Sequence, residues 1–313
     1  MGSSLLLKGG SMMWIHGFEV MCYILTAMLM LDMIRKKDRE EGGLFLSAAL
    51  AGFALELLAV RLTDIYHYSD AFFIQIGPAP YQFPFFGGIM WGGVAVCAAR
   101  IAKKFPFSSI MTALFAGWLV VSMDLLLDVA AIRLDGGFWI WEGRPMNLAI
   151  THHLFMSVVW VNFLGYMFET PALVYMTLLR RKRAPSSMIK EIFISLLIGA
   201  AAVAIVGILS AVALFLDSLT DEWFSCLAFI ILWCGVFFKL IATLVSRRKQ
   251  LSFQGKVDWV LFVFWTAMYG YCLAGLWALG VIRSVPVYGA FGLFLGLMTL
   301  ALCLLHIEQD ESR

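Results

Sequence analysis

The chain is dominated by a succession of long apolar stretches, and this feature constrains its fold more than any other. A helix needs about 20 mostly apolar residues to cross the hydrocarbon core of a bilayer. Hydrophobic residues make up 62% of the chain and charged residues 14%, against about 45–50% and about 25% in soluble domains. The pattern predicts an all-α, polytopic transmembrane helix bundle of about nine spans. The predicted spans are 14–34, 44–60, 83–101, 107–132, 154–179, 191–216, 223–246, 257–280 and 286–306.

The connections between these spans alternate between rich and poor in Arg and Lys. Because positively charged loops stay on the cytoplasmic side of a membrane, the alternation predicts an N-terminus outside and a C-terminus inside. The rich connections follow the first, third, fifth and seventh spans. They contain Arg35, Lys36, Lys37 and Arg39; Arg100, Lys103 and Lys104; Arg180, Arg181, Lys182 and Arg183; and Arg247, Arg248, Lys249 and Lys256.

The chain is interpreted as one domain with two unequal lobes. Residues 1–11 (MGSSLLLKGGS) are rich in Gly and Ser and are set aside as an added leader. Residues 12–313 are predicted to form a single transmembrane domain, in which 12–183 is the lobe that holds the polar site and 184–313 is a supporting apolar lobe. The formal net charge of +2 is too small to suggest a nucleic-acid partner.

The most informative polar residues lie inside predicted spans, where ionisable groups are costly. Glu56 falls near the outer end of the second span, and Asp124 and Asp128 fall near the outer end of the fourth. Residues four apart share a helix face, and two carboxylates so close in a low dielectric do not both ionise easily, so one is expected to keep its proton. Such a pair suits general acid–base chemistry. The alternative is a structural lock in which the acids pair with Arg61 or Arg133.

Aromatic residues alternate with others in the two long outer connections, as Tyr66-x-Tyr68 and Trp139-x-Trp141. Taken singly, they fit the aromatic belt found at membrane interfaces. Beside buried acids, they also fit a cage whose ring faces stabilise a cation. The convergence of acids and rings on one outer region is therefore the strongest functional signal in the sequence.

His152 and His153 precede the fifth span and could bind a metal ion at its mouth. Without a further histidine at ligand spacing, an interfacial pair is the favoured interpretation, and no metal site is predicted. The six cysteines lie in apolar stretches and include no CxxC pair. They are interpreted as small apolar residues of helices, and no cofactor is predicted.

Several short stretches of this outer region resemble a known family. They are 123–133 (MDLLLDVAAIR), 136–142 (GGFWIWE) and 160–166 (WVNFLGY), preceded by Leu55-Glu56, Tyr66-x-Tyr68, Pro84 and Trp91. In order and spacing, these stretches resemble the carotenoid biosynthesis membrane protein family that includes the bacterial carotenoid hydratases. The resemblance covers about residues 50–170.

The resemblance implies a membrane-embedded hydratase that adds water to a terminal C=C bond of an isoprenoid. A carboxylic acid would protonate the alkene, and water would capture the carbocation, with Asp124, Asp128 and Glu56 as the catalytic residues. The implied substrate-binding residues are Asp64, Tyr66, Tyr68, Trp91, Arg133, Trp139, Trp141, Asn162 and Tyr166. The lipophilic substrate would enter from the lipids of a bacterial cytoplasmic membrane.

Other functions stay open at this point. If water is excluded, the same residues support a proton-initiated terpenoid cyclase. Prenyl transfer with Mg²⁺ is less favoured, because a second acidic cluster is missing. A lipid transporter or lipid-binding protein could use the buried acids as a proton relay. The glycine pairs Gly87-Gly88 and Gly92-Gly93 could then mark a broken helix, although small residues also permit close helix packing.

Overall fold

A computed structural model describes residues 12–62, 66–143, 145–181, 187–253 and 255–307. These residues form a bundle of ten α-helices joined by short strands, which confirms the predicted all-α polytopic fold. The added leader proposed for residues 1–11 lies outside the described residues. The helices are α1 Met13–Lys36, α2 Arg39–Leu62, α3 Phe85–Ala102, α4 Ser109–Ala131, α5 Trp160–Arg181, α6 Met188–Thr220, α7 Trp223–Ser246, α8 Trp259–Ala278, α9 Val281–Ser284 and α10 Pro286–Leu304.

Eight helices of the described chain are long and apolar enough to cross a membrane. They coincide with eight of the nine predicted spans. The remaining predicted span corresponds to α5, which is 22 residues long but contains Asn162, Glu169 and Pro171. Its polar face packs inside the bundle. α5 is therefore long enough to cross a membrane, but it is not apolar enough to be counted with the other eight helices. The orientation of the bundle in the membrane and its division into two lobes stay predictions.

The core of the bundle lies around α3 and α4. In the most apolar 18-residue windows of these two helices, 78% and 83% of the residues are buried, whereas the figures for α6 and α7 are 28% and 22%. The outer helices therefore expose large apolar side chains such as Ile208, Phe215, Ile231 and Phe238. Such broad apolar exposure is unfavourable in water and is expected of a surface in contact with lipid.

One end of the bundle, which we call the loop end, carries six of the eight short strands. β1 (Tyr66–Tyr68) pairs antiparallel with β4 (Trp139–Trp141), and β2 (Gln75–Ile76) pairs with β3 (Phe83–Pro84). A third pair, β5 (Leu154–Phe155) and β6 (Val158–Val159), turns at two residues with positive φ. The predicted fifth span began at 154, but this hairpin delays the start of α5 to Trp160. At the opposite end, β7 (Leu251–Ser252) pairs with β8 (His306–Ile307).

Two acids of the loop end attach the connections to α1. Asp135 accepts hydrogen bonds from two backbone N–H groups in the first turn of α1, at 2.8 and 2.9 Å, where carboxylates are favourable. Glu19, within α1, accepts hydrogen bonds from the backbone N–H groups of Phe73 and Ile74 at 2.7 and 3.0 Å. The long connection between α2 and α3 is therefore held against the bundle by a fully buried carboxylate.

The opposite end, which we call the basic end, is held together by a cluster of charges. The guanidinium of Arg100 lies 2.7 Å from Asp32, 2.6 Å from Glu41 and 3.3 Å from Asp258, which belong to α1, α2 and the start of α8. Burial alone would raise the pKa of Asp258. A backbone N–H of α8 and the charges of Arg100 and Lys36 outweigh this effect, so the pKa of Asp258 lies below its ordinary value.

Candidate active site

The acids singled out in the sequence come together near the loop end. Glu56 lies in the last third of α2, and Asp124 and Asp128 occupy successive turns of the buried helix α4. Asp124 is 7% exposed and Asp128 is 1% exposed. Within the described part of the chain, neither aspartate forms an ion pair with Arg or Lys. Arg133 instead donates to three backbone carbonyl groups and to a serine hydroxyl, so it serves to hold the α4–α5 connection.

The two aspartates of α4 have incomplete hydrogen bonding. Oδ2 of Asp124 and Oδ1 of Asp128 are buried, and neither accepts a hydrogen bond from any other residue that the structure describes. The two carboxyl groups lie within hydrogen-bonding reach of each other, and such a bond requires a proton on one of them. The other oxygen of Asp128 accepts a hydrogen bond from Nδ2 of Asn162 at 2.6 Å. Asn162 therefore holds Asp128 as an acceptor, and Asp124 is the partner with room for the proton.

Glu56 is the acceptor at the end of a chain of phenols. The hydroxyl of Tyr66 lies 2.8 Å from that of Tyr68, which donates to Oε2 of Glu56 at 2.6 Å. The Tyr66 hydroxyl also lies 3.3 Å from the same carboxylate oxygen. Burial, followed by the charge of Glu56, raises the pKa of both phenols well above the usual value. Both tyrosines therefore remain protonated donors toward the carboxylate.

Strand pairing brings the aromatic residues of the two outer connections together. In the β1–β4 pair, Tyr66 is opposite Trp141 and Tyr68 is opposite Trp139. Their ring centroids are 4.5 and 6.0 Å apart, respectively, and the two tyrosine rings are 5.4 Å apart. Because side chains alternate between the faces of a strand, the Tyr-x-Tyr and Trp-x-Trp spacing places all four rings on one face. That face covers the acids.

Two neighbouring cavities adjoin the acids. The first has a volume of about 80 Å³ and the second a volume of about 190 Å³, and both are lined mostly by apolar surface. Glu56, Tyr66 and Tyr166 line both cavities and form the wall between them. The first cavity is also lined by the predicted residues Tyr68, Trp91, Asp124 and Trp139. The second is also lined by Trp141, Asn162, Glu169 and Ser210.

Not every predicted site residue lines a cavity. Asp128 lines neither cavity and contacts the site through Asp124, Asn162 and Trp139. Arg133 lines neither cavity, because its guanidinium donates to the backbone carbonyl groups and the serine hydroxyl described above. Asp64 lies outside the described residues. The structure thus brings most of the predicted residues to the cavities, whereas Asp128 and Arg133 line neither of them.

Other lining residues were not among the predicted site residues. Phe18 from α1 and Met268 from α8 complete the first cavity, and Phe83 closes it from the loop. Glu169, on α5, lines the second cavity with a buried Oε1 atom that has no hydrogen-bond partner in the described chain. An acid inside a span is a signal that can be read from sequence, whereas apolar lining residues on distant helices leave no such signal.

Small residues allow the helices that carry the site to approach closely. A Cβ atom added at Gly52 of α2 would lie 2.5 Å from the ring of Trp91 of α3. Gly88 and Gly92 of α3 have the same role, because a Cβ at Gly88 would meet the ring of Phe53 at 2.4 Å, and one at Gly92 would meet the backbone of α2 at 2.8 Å. α3 itself is continuous from Phe85 to Ala102. These glycines therefore serve close packing of α2 on α3.

The arrangement has the parts needed to generate and control a carbocation. A carboxyl group beside a second carboxylate can donate a proton in a site shielded from water. Aromatic faces stabilise a nearby positive charge. A carboxylate held by two phenols can accept a proton from water or from the cation. No residue of this set requires a metal ion or an organic cofactor for that chemistry.

Comparison with known proteins supports a role in pigment biosynthesis. Residues 17–221 match the family described as carotenoid biosynthesis protein. This match includes all of the acids and tyrosines of the site and about two thirds of the chain. No curated protein and no solved structure matches the chain. The chain belongs to the carotenoid biosynthesis protein family.

Proposed function

We propose that the protein is a membrane-embedded hydratase that adds water to a terminal C=C bond of a carotenoid or related isoprenoid. One observation carries this proposal. The carboxyl group of Asp124, with an oxygen that lacks a partner in the described chain, faces an apolar, aromatic-walled cavity beside Glu56. A site of this kind can protonate an unactivated alkene, which has no polar group for the protein to hold.

Asp124 is the proton donor in this proposal. It lines the first cavity, whereas Asp128 does not, and Asn162 holds Asp128 as a hydrogen-bond acceptor. The proton between the two aspartates therefore belongs on Asp124, from which it passes to the less substituted (CH) carbon of the double bond. The C–H bond forms as the π bond breaks, and the neighbouring carbon becomes a tertiary carbocation. The negative charge left on the aspartate pair helps to stabilise that cation.

The aromatic rings stabilise the cation while it exists. Tyr68, Trp91 and Trp139 line the first cavity together with Asp124. A cation over an aromatic face gains about 0.5–2 kcal/mol per contact, with the larger values where water is excluded. Several rings around one cavity therefore lower the barrier substantially without any covalent bond to the protein.

Water reaches the cation from the second cavity. That cavity is more than twice as large as the first, is lined by polar residues such as Asn162 and Ser210, and shares Glu56 with the first. The water oxygen forms a bond to the cationic carbon while Glu56 accepts a proton from the water, which leaves a tertiary alcohol. Return of a proton from Glu56 to the aspartate pair restores the starting state, and one alkene and one water give one alcohol. The polar side chains that line this second cavity favour hydration over cyclisation.

The first cavity has room for the end of an isoprenoid chain only. A cavity of about 150 Å³ holds one benzene molecule, and the first cavity measures about 80 Å³. Terminal carbons can enter it, and the rest of a long polyene must lie elsewhere along the bundle or in the bilayer. The volume therefore supports a reaction at a chain end.

Asp124→Asn tests the proposal in a bacterial host that makes a linear carotenoid. The amide has the shape of the acid but donates no acidic proton, and removal of a general acid costs about 100-fold or more in rate. The wild type is expected to give a pigment heavier by one water molecule, and the variant to leave the precursor unchanged. The control is Asp70→Asn, which removes an exposed carboxylate of the loop end and is expected to retain activity. Full activity of Asp124→Asn would reject the assignment.

The product separates hydration from its alternatives. In water labelled with heavy oxygen, a hydratase incorporates the label into the product, whereas a cyclase yields an isomer of the precursor without label. A transporter would move the isoprenoid between liposomes and leave its mass unchanged. An unlabelled cyclic product would overturn hydration while leaving proton donation by Asp124 in place.

A further inference from the structure

Outside the candidate active site, two histidines and two acids meet at the loop end. His152 and His153 lie in the connection that leads into α5, and Asp221 and Glu222 form the turn between α6 and α7. A ring nitrogen of each histidine and a carboxylate oxygen of Asp221 all lie within 4.8 Å of one another. Glu222 adds a carboxylate oxygen 3.1 Å from Nδ1 of His153.

The hydrogen bonding of this cluster is incomplete. Nε2 of His152 is buried and makes no hydrogen bond with any residue that the structure describes. The nearest carboxylate oxygen of Asp221 is 3.5 Å from it, which is beyond good hydrogen-bond geometry. A buried polar nitrogen without a partner is unfavourable, and a bound ligand between the ring and the carboxylate would satisfy both.

The donor atoms of the cluster favour a cation. The carboxyl groups of Asp221 and Glu222 lie beside the two imidazole rings. Nitrogen and oxygen ligands of this kind suit a borderline divalent ion such as Zn²⁺, which binds neutral imidazole and carboxylate in four-coordinate sites.

The side chains are held in position by their surroundings. The ring of His152 stacks on Trp223 with centroids 4.4 Å apart and planes 2° apart. The two histidine rings lie 3.8 Å apart. Asp221 and Glu222 are adjacent residues of a tight turn between two long helices. Asp221 is 81% exposed, so an ion could reach the cluster from water.

We propose that His152, His153 and Asp221 form a binding site for a divalent cation of the zinc class, with Glu222 at its edge. The site is separate from the candidate active site and does not rest on the proposed hydration. Its ligands come from residues 69 positions apart along the chain, so a bound ion would cross-link the start of α5 to the α6–α7 turn. Thr151, which precedes His152, is itself fixed to the start of α5, because its carbonyl accepts a hydrogen bond from Nε1 of Trp160 at 2.8 Å.

Zinc titration of the purified full-length protein tests this site. The protein carries an affinity tag without histidine, is treated with a chelator, and is titrated with ZnCl₂ in a calorimeter. We expect one Zn²⁺ per chain and at least about tenfold weaker binding in His152→Ala and in Asp221→Asn. The matched control is His67→Ala, since His67 faces a single carboxylate, Glu142, at 3.8 Å. Binding should be unchanged in that variant.

A second measurement needs no variant. Saturation of the wild type with Zn²⁺ is expected to raise Tm by about 5 °C, since a ligand at ~100 times its dissociation constant stabilises the folded state. Co²⁺ in the same site is expected to give the visible absorption band of a four-coordinate ion, and Zn²⁺ is expected to remove it. Absence of stoichiometric binding by the wild type, or equal binding by His152→Ala and the wild type, would overturn the proposal.

Discussion

Replacement of Tyr68 by Phe removes one hydroxyl group from the candidate active site and little else. The ring is buried at 6% exposure and keeps its face toward the first cavity. What is lost is the donor that reaches Oε2 of Glu56 at 2.6 Å and the acceptor for the Tyr66 hydroxyl at 2.8 Å. The variant therefore separates support of the carboxylate from stabilisation of the cation by the aromatic ring.

The size of the effect follows from the type of hydrogen bond. A hydrogen bond to a charged group contributes about 1.5–3 kcal/mol, and each 1.36 kcal/mol of barrier is a factor of about ten in rate. Tyr68→Phe is therefore expected to lower kcat by about 10- to 150-fold. Tyr66→Phe should have a smaller effect, because its hydroxyl lies 3.3 Å from Glu56 and acts mainly through Tyr68. Tyr68→Leu, which also removes the ring, should be slower than Tyr68→Phe by a further factor of about 2 to 30.

The assay measures product formation from a linear carotenoid by protein purified into lipid nanodiscs. Pigments are separated by chromatography and identified by mass spectrometry. Comparable amounts of folded protein are verified from its elution profile. The expected order of rates is wild type, then Tyr66→Phe, then Tyr68→Phe, then Tyr68→Leu. A Tyr68→Phe variant as fast as the wild type, or one faster than Tyr66→Phe, would refute the role assigned to the phenol chain.

Three further changes test other parts of the structure. Gly52→Ala is expected to displace the indole of Trp91 and to lower both Tm and activity. Its control is Gly17→Ala, where an added Cβ meets nothing within 4 Å, and this variant should leave both unchanged or slightly raised. Thermal unfolding of the two variants tests the prediction. Because the pKa of Asp258 is lowered in the folded state, its ion pair with Arg100 adds stability that is complete above about pH 4 and is lost as the pH falls further. The difference in Tm between the wild type and Asp258→Asn should therefore shrink from pH 6 to about pH 3, and a constant difference would contradict it. Ser210→Phe should fill the second cavity and, in labelled water, lower hydrated product relative to any unlabelled isomer; an unchanged ratio would reject this cavity as the source of water.

The features that sequence predicted correctly are those governed by local geometry. The spacing of Asp124 and Asp128 places them on one face of any α-helix, whatever the rest of the chain does. The apolar spans follow from segment length and composition. The end of a span is less certain, because the run at 154–159 is short, apolar and compatible with either a helix or strands. There the chain forms a hairpin, and α5 begins only at Trp160.

The features that sequence did not predict depend on which distant segments meet. Nothing in the local pattern of Tyr66 and Trp141 indicates that these residues are opposite each other on paired strands. Glu19 carries a readable signal as an acid inside a span, but its partners in the connection 69–74 are set by the fold. In the same way, the His152–His153 pair gains its acidic neighbours only when α6 and α7 pack beside α5.

The small volume of the first cavity has a consequence for substrates with two equivalent ends. A compartment of about 80 Å³ accepts one terminus at a time, so a symmetric molecule must withdraw, reverse and re-enter before its second terminus can react. On the proposed function, the singly modified compound is then a free species that partitions into the bilayer between two visits. Its transient accumulation would depend on the ratio of substrate to protein, and a competing lipophilic molecule would lengthen its lifetime.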